Sequence, residues 1–223
     1  MNQLSLGEQL IYYFQHNGSY VLEQFFRHFL MAAYGVLFAC LVSIPLGIFI
    51  AKQQKLARPV IDLANIIQTV PSLALLSILM LGLGLGSTTV IVTVFFYSLL
   101  PIISNTYTGM RQVDKDLLDV GRGMGMTAWQ RMYMIELPLS ISVIMAGIRN
   151  ALVIAVGIVA IGSFVGAGGL GDIITRGTNA TNGTAIILAG ALPTAFMAII
   201  IDVGLGLIER KLDPAVKIAK KAQ

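Results

Sequence analysis

The chain has 223 residues, of which 56% are hydrophobic and 12% are charged, and its mean hydropathy is +0.81. A soluble domain carries about twice that charged fraction, so the composition excludes an ordinary soluble protein and indicates one helical membrane bundle. The single cysteine, Cys40, lies inside an apolar run, which excludes a disulfide framework and a CxxC metal site.

Five stretches are long and apolar enough to be membrane spans, because about 20 apolar residues cross the hydrocarbon of a bilayer. They are expected to be helical, since only a helix satisfies its own backbone hydrogen bonds inside a bilayer. In chain order the predicted spans cover residues 29–51, 63–86, 87–104, 138–165 and 185–207. No cleavable signal is expected before them, because the N-terminus has no basic region and no small-residue cleavage site.

The distribution of positive charge predicts how these spans are oriented. Twelve of the 15 Lys and Arg residues fall in connections on one side of the membrane: Lys52, Lys55, Arg58, Arg111, Lys115, Arg122, Arg131, Arg210, Lys211, Lys217, Lys220 and Lys221. Only Arg27 and Arg176 fall on the other side. Because Lys and Arg are retained in cytoplasmic connections, the N-terminus is predicted to lie outside and the C-terminus inside.

This orientation divides the chain into three parts. We expect an extracellular N-terminal segment at 1–28, a transmembrane domain at 29–207 and a basic cytoplasmic tail at 208–223. The net charge of +4 is therefore a topology signal. It does not indicate a nucleic-acid partner, since no basic patch is interleaved with aromatic residues.

The second predicted span carries polar residues and a proline within the membrane. Asn65, Gln68 and Pro71 lie in the stretch NIIQTVPS. Polar side chains in membrane helices usually face the bundle, and a proline frees a carbonyl and kinks its helix. Two interpretations stay open. These residues line a polar path or its gate, or they form hydrogen bonds between helices.

The connection between the third and fourth spans, at about 112–137, is predicted to be an ordered cytoplasmic loop. Asp114 can cap a helix that begins at Lys115, and Gly125 can end that helix in a left-handed conformation. Its apolar face is expected to contain Leu117, Val120, Gly121 and Met124.

A second short helix is predicted in the same loop. Thr127 and Gln130 have the spacing of a capping box, and Trp129 supplies apolar surface. Leu137-Pro138 is expected to end this helix and to begin the fourth span. The residues alone leave open whether the pair of helices rests on lipid headgroups or docks on another protein.

The fourth predicted span is interrupted by Arg149 and Asn150, about 16 Å from its start at 1.5 Å per residue. An arginine at that depth cannot face lipid cheaply. It can snorkel to the inner surface or pair with an acid such as Asp202 or Asp62. We favour a structural pair over a role in a polar path.

The stretch GAGGLG, at 166–171, formally fits G-x-G-x-x-G. Dinucleotide binding requires a preceding strand, whereas a membrane helix precedes this stretch, so that function is excluded. We expect a tight, bent backbone on the outer side, followed by a short outer segment, and an ordinary flexible loop is the alternative.

Other functions lack the residues that they require. No G-x-x-x-x-G-K-[ST] or G-x-S-x-G occurs, which excludes a P-loop ATPase and gives no support to an intramembrane hydrolase. The histidines, His16 and His28, both lie near the N-terminus and suggest no metal site or triad. Phe95, Phe96 and Tyr97 are consecutive, so they cannot line one helix face as an aromatic cage.

The loop at 112–137 resembles a known signature. Its spacing is that of EAA-x3-G-x9-I-x-LP, found in permease subunits of bacterial binding-protein-dependent ABC importers, here with the residues Asp119, Val120, Gly121, Gly125, Ile135, Leu137 and Pro138. The EAA triplet is replaced by Asp-Val-Gly, which keeps only the acidic first residue. The resemblance implies that the loop, with Trp129, forms coupling helices that dock into a groove on an ATPase subunit.

Stretches such as YSLLPIISNTYTGMR and FVGAGGLGDIITRGTNATNGTAIILAGALPTA extend the resemblance over nearly the whole chain. They are similar to permeases of glycine betaine/carnitine/choline importers of the OpuC and OpuB type. The implied fold is all-α, the type I ABC importer permease fold, with about five membrane helices and cytoplasmic coupling helices. The implied function is alternating-access import of a quaternary ammonium osmolyte across a bacterial plasma membrane.

The resemblance also implies the partners. These are a cytoplasmic ATPase dimer that uses ATP and Mg, a second permease subunit, and a lipid-anchored substrate-binding protein, while this chain binds no cofactor. The second permease is another copy or a sister chain, and the OpuC type implies a sister. The alternatives are an importer for another small amine or zwitterion, or a stand-alone channel or secondary transporter. The last needs no docking loop, and the chain shows no clear inverted repeat.

Overall fold

A computed structural model describes residues 5–212, and within this range the chain is helical with no strand, which confirms the all-α prediction. Lys217, Lys220 and Lys221 of the predicted tail lie outside the described residues. The helices are α1 (Leu6–Lys52), α2 (Gln54–Thr69), α3 (Ser72–Leu83), α4 (Ser87–Arg111), α5 (Lys115–Gly123), α6 (Ala128–Arg131), α7 (Leu137–Ile161), α8 (Leu170–Thr178) and α9 (Thr184–Leu212).

Helix α1 begins well before the first predicted span. Ser5 caps it in a capping box with Glu8, and the helix then continues through a kink at Asn17 to Lys52. Residues 1–28 are predicted as a separate extracellular segment. In the structure, residues 6–28 belong to the same helix as the first span. Val21 packs in a cluster with residues of α8 and α9, whereas Leu22 and Phe26 are exposed.

The second predicted span is bent at Pro71, as predicted, and the bend is sharp enough to divide it into two helices. Instead of one helix at 63–86, α2 and α3 meet at an angle of 92°. Val70 is extended, with φ −67° and ψ 126°, because the ring of Pro71 disfavours a helical conformation in the residue before it. Four helices of the described range are long and apolar enough to cross a membrane, or five when the bent pair counts as one span.

Helix α4 is the centre of the bundle and packs between α1 and α7. Glycines make these contacts close. A Cβ added at Gly35 of α1 would lie 2.4 Å from Cγ1 of Val94 on α4. A Cβ added at Gly147 of α7 would lie 2.8 Å from the carbonyl oxygen of Pro101 on α4. Small residues at such contacts allow membrane helices to approach, which holds the three helices together.

Gly147→Leu is expected to force α4 and α7 apart and to reduce the yield of folded protein severalfold, since overpacking a tight contact costs about 1–3 kcal/mol or more. Gly157 on the same helix is the matched control, because no atom lies within 4 Å of a Cβ added there. The measurement is the monodisperse fraction and melting temperature in detergent. Equal values for Gly147→Leu and Gly157→Leu would contradict the tight contact.

Candidate functional site

The loop at 112–137 folds as its local sequence predicts at its first helix. The Asp114 carboxylate accepts a hydrogen bond from the backbone N–H of Asp116 at 2.9 Å, which caps α5. Gly125 has φ +77°, the left-handed conformation predicted for it. The N–H of Gly125 donates to the carbonyl of Arg122 and the N–H of Met126 donates to that of Gly121, which is a Schellman motif.

The second helix of the loop is capped as predicted but does not end as predicted. The N–H of Gln130 donates to Thr127 Oγ1 at 3.3 Å, and the Gln130 side chain accepts from the N–H of Thr127 at 2.7 Å. Beyond α6, a π-helical turn at Met132–Glu136 leads directly into α7. Pro138 lies in the first turn of α7, and the wider turn before it accommodates its missing N–H and its ring.

The two short helices expose a set of apolar side chains. Between 46% and 77% of the surface of each is accessible, and we call the set the apolar patch: Leu117, Val120, Met124, Trp129, Tyr133 and Met134. Trp129 and Tyr133 stack within it, with ring centroids 5.5 Å apart. Large exposed apolar side chains grouped on one short loop indicate an interaction surface.

The residues of the predicted signature divide into two groups. Gly121 is buried, and a Cβ added there would lie 2.9 Å from Cδ1 of Ile135. These two residues therefore hold the short helices together. Asp119 and Val120 are exposed, and the Asp119 carboxylate pairs with Arg122 at 2.9 Å. Leu137 lies at the start of α7.

An ion pair that sequence reasoning missed ties this region to α1. The ammonium of Lys52, the last residue of α1, contacts both carboxylate oxygens of Glu136, whose side chain is buried. The only indication in the sequence was Glu136, which lies directly before an apolar span. A carboxylate at such a position requires a partner. The loop is thus fixed both to α1 and, through the π-helical turn, to α7.

Arg149 of α7 lies in a cradle on α9. Its Nε is 3.6 Å from Oδ1 of Asp202, and its Nη1 is 3.4 Å from Oε2 of Glu209. Gly206 makes room for the guanidinium, because a Cβ added there would lie 2.8 Å from Nη1. Asp202 was predicted as a partner and Glu209 was not.

The other residues predicted near Arg149 lie elsewhere. Asp62 pairs with Arg58 at 3.7 Å on the exposed surface of α2, so it is not a partner of Arg149. Asn150 is exposed and takes no part in the cradle.

Comparison with known proteins identifies the family. The model described as "Binding-protein-dependent transport system inner membrane component" matches residues 43–217. The chain belongs to this family. It is 67% identical over 207 residues to the carnitine transport permease protein OpuCD of Listeria monocytogenes, with 93% of each chain covered. It is 61% identical over 210 residues to the glycine betaine/carnitine/choline transport system permease protein OpuCD of Bacillus subtilis, covering 94% and 92%.

A solved structure has the same arrangement of helices as this chain. A chain of the inward-facing MetNI methionine ABC transporter superposes with a TM-score of 0.76 and 22% sequence identity. The match covers 86% of this chain and 95% of that one. At this identity the likeness shows the fold, and it confirms the predicted fold of an ABC transporter permease that crosses the membrane several times.

The second predicted span contacts α4 at the bend between α2 and α3. Gln68 Nε2 donates to the backbone oxygen of Tyr97 at 2.9 Å, and the Tyr97 hydroxyl donates to the backbone oxygen of Val70. The carbonyl next to Pro71 is thereby satisfied. Asn65 is exposed and points away from these contacts. The structure brings Gln68 and Pro71 together at the bend, and it does not include Asn65.

The glycine-rich stretch after α7 is an ordered loop. Three of its glycines have positive φ angles between 68° and 80°: Gly166, Gly168 and Gly169. The N–H of Gly169 donates to Gln24 Oε1 at 2.7 Å, and the N–H of Leu170 donates to His28 Nδ1 at 3.2 Å. These bonds tie the bent backbone to α1 and favour the expected tight, bent backbone over an ordinary flexible loop.

His28 has a role that sequence reasoning did not find. Its Nδ1 accepts from the loop, so its proton is on Nε2, which donates to the carbonyl of Val156 at 3.0 Å. The neutral ring therefore joins α1, α7 and the loop, and it is fully buried. The only signal in the sequence was a histidine at the end of an apolar helical face.

Proposed function

We propose that this chain is the membrane permease subunit of an ATP-driven importer for quaternary ammonium osmolytes such as glycine betaine, carnitine or choline. The observation that carries the proposal is the apolar patch, displayed on helices with the spacing of the importer signature. The substrate class is supported by the names of relatives that are 61% and 67% identical to the chain.

The proposed mechanism uses energy from a partner. A cytoplasmic ATPase dimer binds ATP and Mg and moves the apolar patch as it closes and opens. The membrane helices of this chain and of a second permease, a sister chain in this proposal, then alternate between outward-facing and inward-facing forms. A lipid-anchored binding protein delivers the substrate from outside, and its own site selects the osmolyte.

Residues that line the path are proposed from their exposure. Asn65 and Asn150 are polar and exposed on the isolated chain, and we place them where the second permease closes the path. Gln68, Pro71 and Arg149 are proposed to shape the path through the bend and the cradle, without contacting substrate.

The proposed function is tested by expressing the chain with its genomic neighbours. An ATPase and a second permease are expected to co-purify, and the reconstituted complex is expected to accumulate labelled osmolyte only when ATP and loaded binding protein are present. An ATPase subunit without its catalytic carboxylate is the control. Uptake that needs no ATP, or a chain that purifies alone, would favour a channel or secondary transporter.

The proposed orientation gives a separate prediction. In a Cys40→Ala background, cysteines at Lys55 and Arg122 are expected to react with an impermeant maleimide only from the cytoplasmic side. A cysteine at Asn182 is expected to react only from outside. The comparison of intact cells with inverted vesicles measures this. Labelling at Asn182 in inverted vesicles alone would reverse the orientation.

A further inference from the structure

A cavity of about 490 Å³ lies between the ends of the membrane helices and the two short helices. Ala51 and Met110 line it where α1 and α4 end, and Leu118 of α5 and Met132 close it from the other side. Its walls therefore combine apolar surface from the ends of the spans with the inner surface of the loop. It is separate from the path residues and from the Arg149 cradle.

The cavity is strongly basic. Its lining holds one carboxylate, that of Glu136, and five basic side chains: Lys52, Arg111, Lys115, Arg122 and Arg131. Glu136 neutralises Lys52, and Asp119 pairs with Arg122 at the rim. Within residues 5–212, neither Arg111 nor Lys115 has a carboxylate within 4.0 Å. Arg131 also has no carboxylate within that distance in the same range, and its Nη1 donates to the backbone oxygen of Met126. The cavity thus presents three uncompensated cations to an anion.

The basic lining and the apolar patch occupy opposite faces of α5. Lys115, Leu118 and Arg122 line the cavity at helical spacing. The exposed residues Leu117, Val120 and Met124 are displaced from them by two positions, or about 200° around the helix. A partner that covers the apolar patch therefore leaves the cavity on the side of the membrane helices.

We propose that this cavity binds the phosphate-bearing headgroup of an anionic phospholipid from the cytoplasmic leaflet. Basic pockets between membrane helices on the cytoplasmic side suit such headgroups, and guanidinium and ammonium groups bind phosphate oxygens. Trp129, at the edge of the cavity, is a residue type enriched where the membrane meets water. The proposal rests on the orientation given under the proposed function, which places this cavity in the cytoplasm.

The test uses Trp129, which is the single tryptophan of the chain and lines the cavity. The full chain is placed in lipid nanodiscs of phosphatidylcholine and phosphatidylglycerol at equal amounts, with bromine near the top of the acyl chains of one lipid or the other. Bromine quenches tryptophan on contact. Brominated phosphatidylglycerol is expected to quench about tenfold more effectively than brominated phosphatidylcholine, because each basic side chain near a headgroup favours an anionic lipid severalfold.

The variants that decide the test change two of the three uncompensated cations, Arg111 and Lys115. Arg131 is left unchanged, because its guanidinium also donates to the backbone oxygen of Met126 within the loop. Arg111→Gln with Lys115→Gln is expected to make the two lipids equivalent, whereas Arg111→Lys with Lys115→Arg is expected to retain the preference. Lys55→Gln with Arg58→Gln removes the same charge from the same predicted side but outside the cavity, so the preference is expected to persist. A size-exclusion profile confirms that each variant is folded.

Three outcomes would overturn the proposal. The first is equal quenching of the unaltered chain by both lipids, and the second is a preference that survives Arg111→Gln with Lys115→Gln. In the third, inorganic phosphate shifts Trp129 emission in detergent while the lipids remain equivalent, which indicates a free-anion site. If the double variant instead releases the ATPase and the lipid preference is unchanged, the cavity docks protein. ATP-driven uptake is measured on the same variants, so loss of the lipid site is distinguished from failure of the proposed function.

Discussion

Gly125→Leu is expected to abolish osmolyte uptake and stimulated ATP hydrolysis while the membrane helices remain inserted and folded. Gly125 has φ +77°, and a residue with a β-carbon in that conformation costs about 1 kcal/mol or more. No atom lies within 4 Å of a Cβ added there, so the leucine has open space and extends from the loop that carries the apolar patch. It is then expected to prevent the apolar patch from fitting a groove on the ATPase.

Gly123 is a matched control for the strain that a β-carbon causes at a positive φ angle. It lies in α5 without a positive φ angle, and no atom lies within 4 Å of a Cβ added there either. Gly123→Ala is therefore expected to be neutral, whereas Gly125→Ala is expected to impair uptake through strain alone. The measurements are ATPase co-purification and hydrolysis with and without loaded binding protein in lipid. Normal stimulated hydrolysis and uptake in Gly125→Leu would mean that this loop rests on lipid headgroups and does not couple.

Arg149→Leu is expected to cause a large loss of folded protein. Asp202 and Glu209 would then lie near each other along α9 with no cation between them. A carboxylate within a membrane helix is costly without a partner, and at the helix centre the cost reaches about 2.5 kcal/mol or more. The yield of monodisperse protein should fall severalfold. Arg58→Leu, which breaks an exposed pair with Asp62, is expected to have little effect.

A neutral triple variant separates a structural cradle from a role in the path. Arg149→Leu combined with Asp202→Leu and Glu209→Leu is expected to restore folded protein and uptake, because no charge remains without a partner. Folded protein without uptake would show that the charges act on the substrate path. Arg149→Leu alone with an unaltered yield would contradict the energetic argument for the cradle.

Features fixed by neighbouring residues could be predicted from the sequence. The caps at Asp114 and Thr127 and the left-handed Gly125 involve partners at most five residues apart, so the local pattern contains all the necessary information. The positions of the apolar helices follow in the same way from hydropathy, since a span must be both apolar and long.

Features fixed by distant residues could not be predicted. Pro71 indicates a kink, but the 92° bend is also held by Tyr97, whose hydroxyl donates to the carbonyl of Val70 from another helix. The pair of Lys52 with Glu136 joins residues 84 positions apart. The contact of His28 with Leu170 joins residues 142 positions apart. No periodicity in a single sequence encodes such pairs, because each depends on how the helices pack.

The direct continuation of α6 into α7 makes one rod of 38 residues, Ala128–Val165, from the apolar patch to the glycine loop. At 1.5 Å per residue it is about 57 Å long, so each degree of tilt about its midpoint displaces either end by about 0.5 Å. If the proposed function is correct, a small displacement of Trp129 by the ATPase would therefore move the other end of this helix as well. At that end the glycine loop is hydrogen-bonded to Gln24 and His28 of α1, so under the proposed function α1 would move together with it.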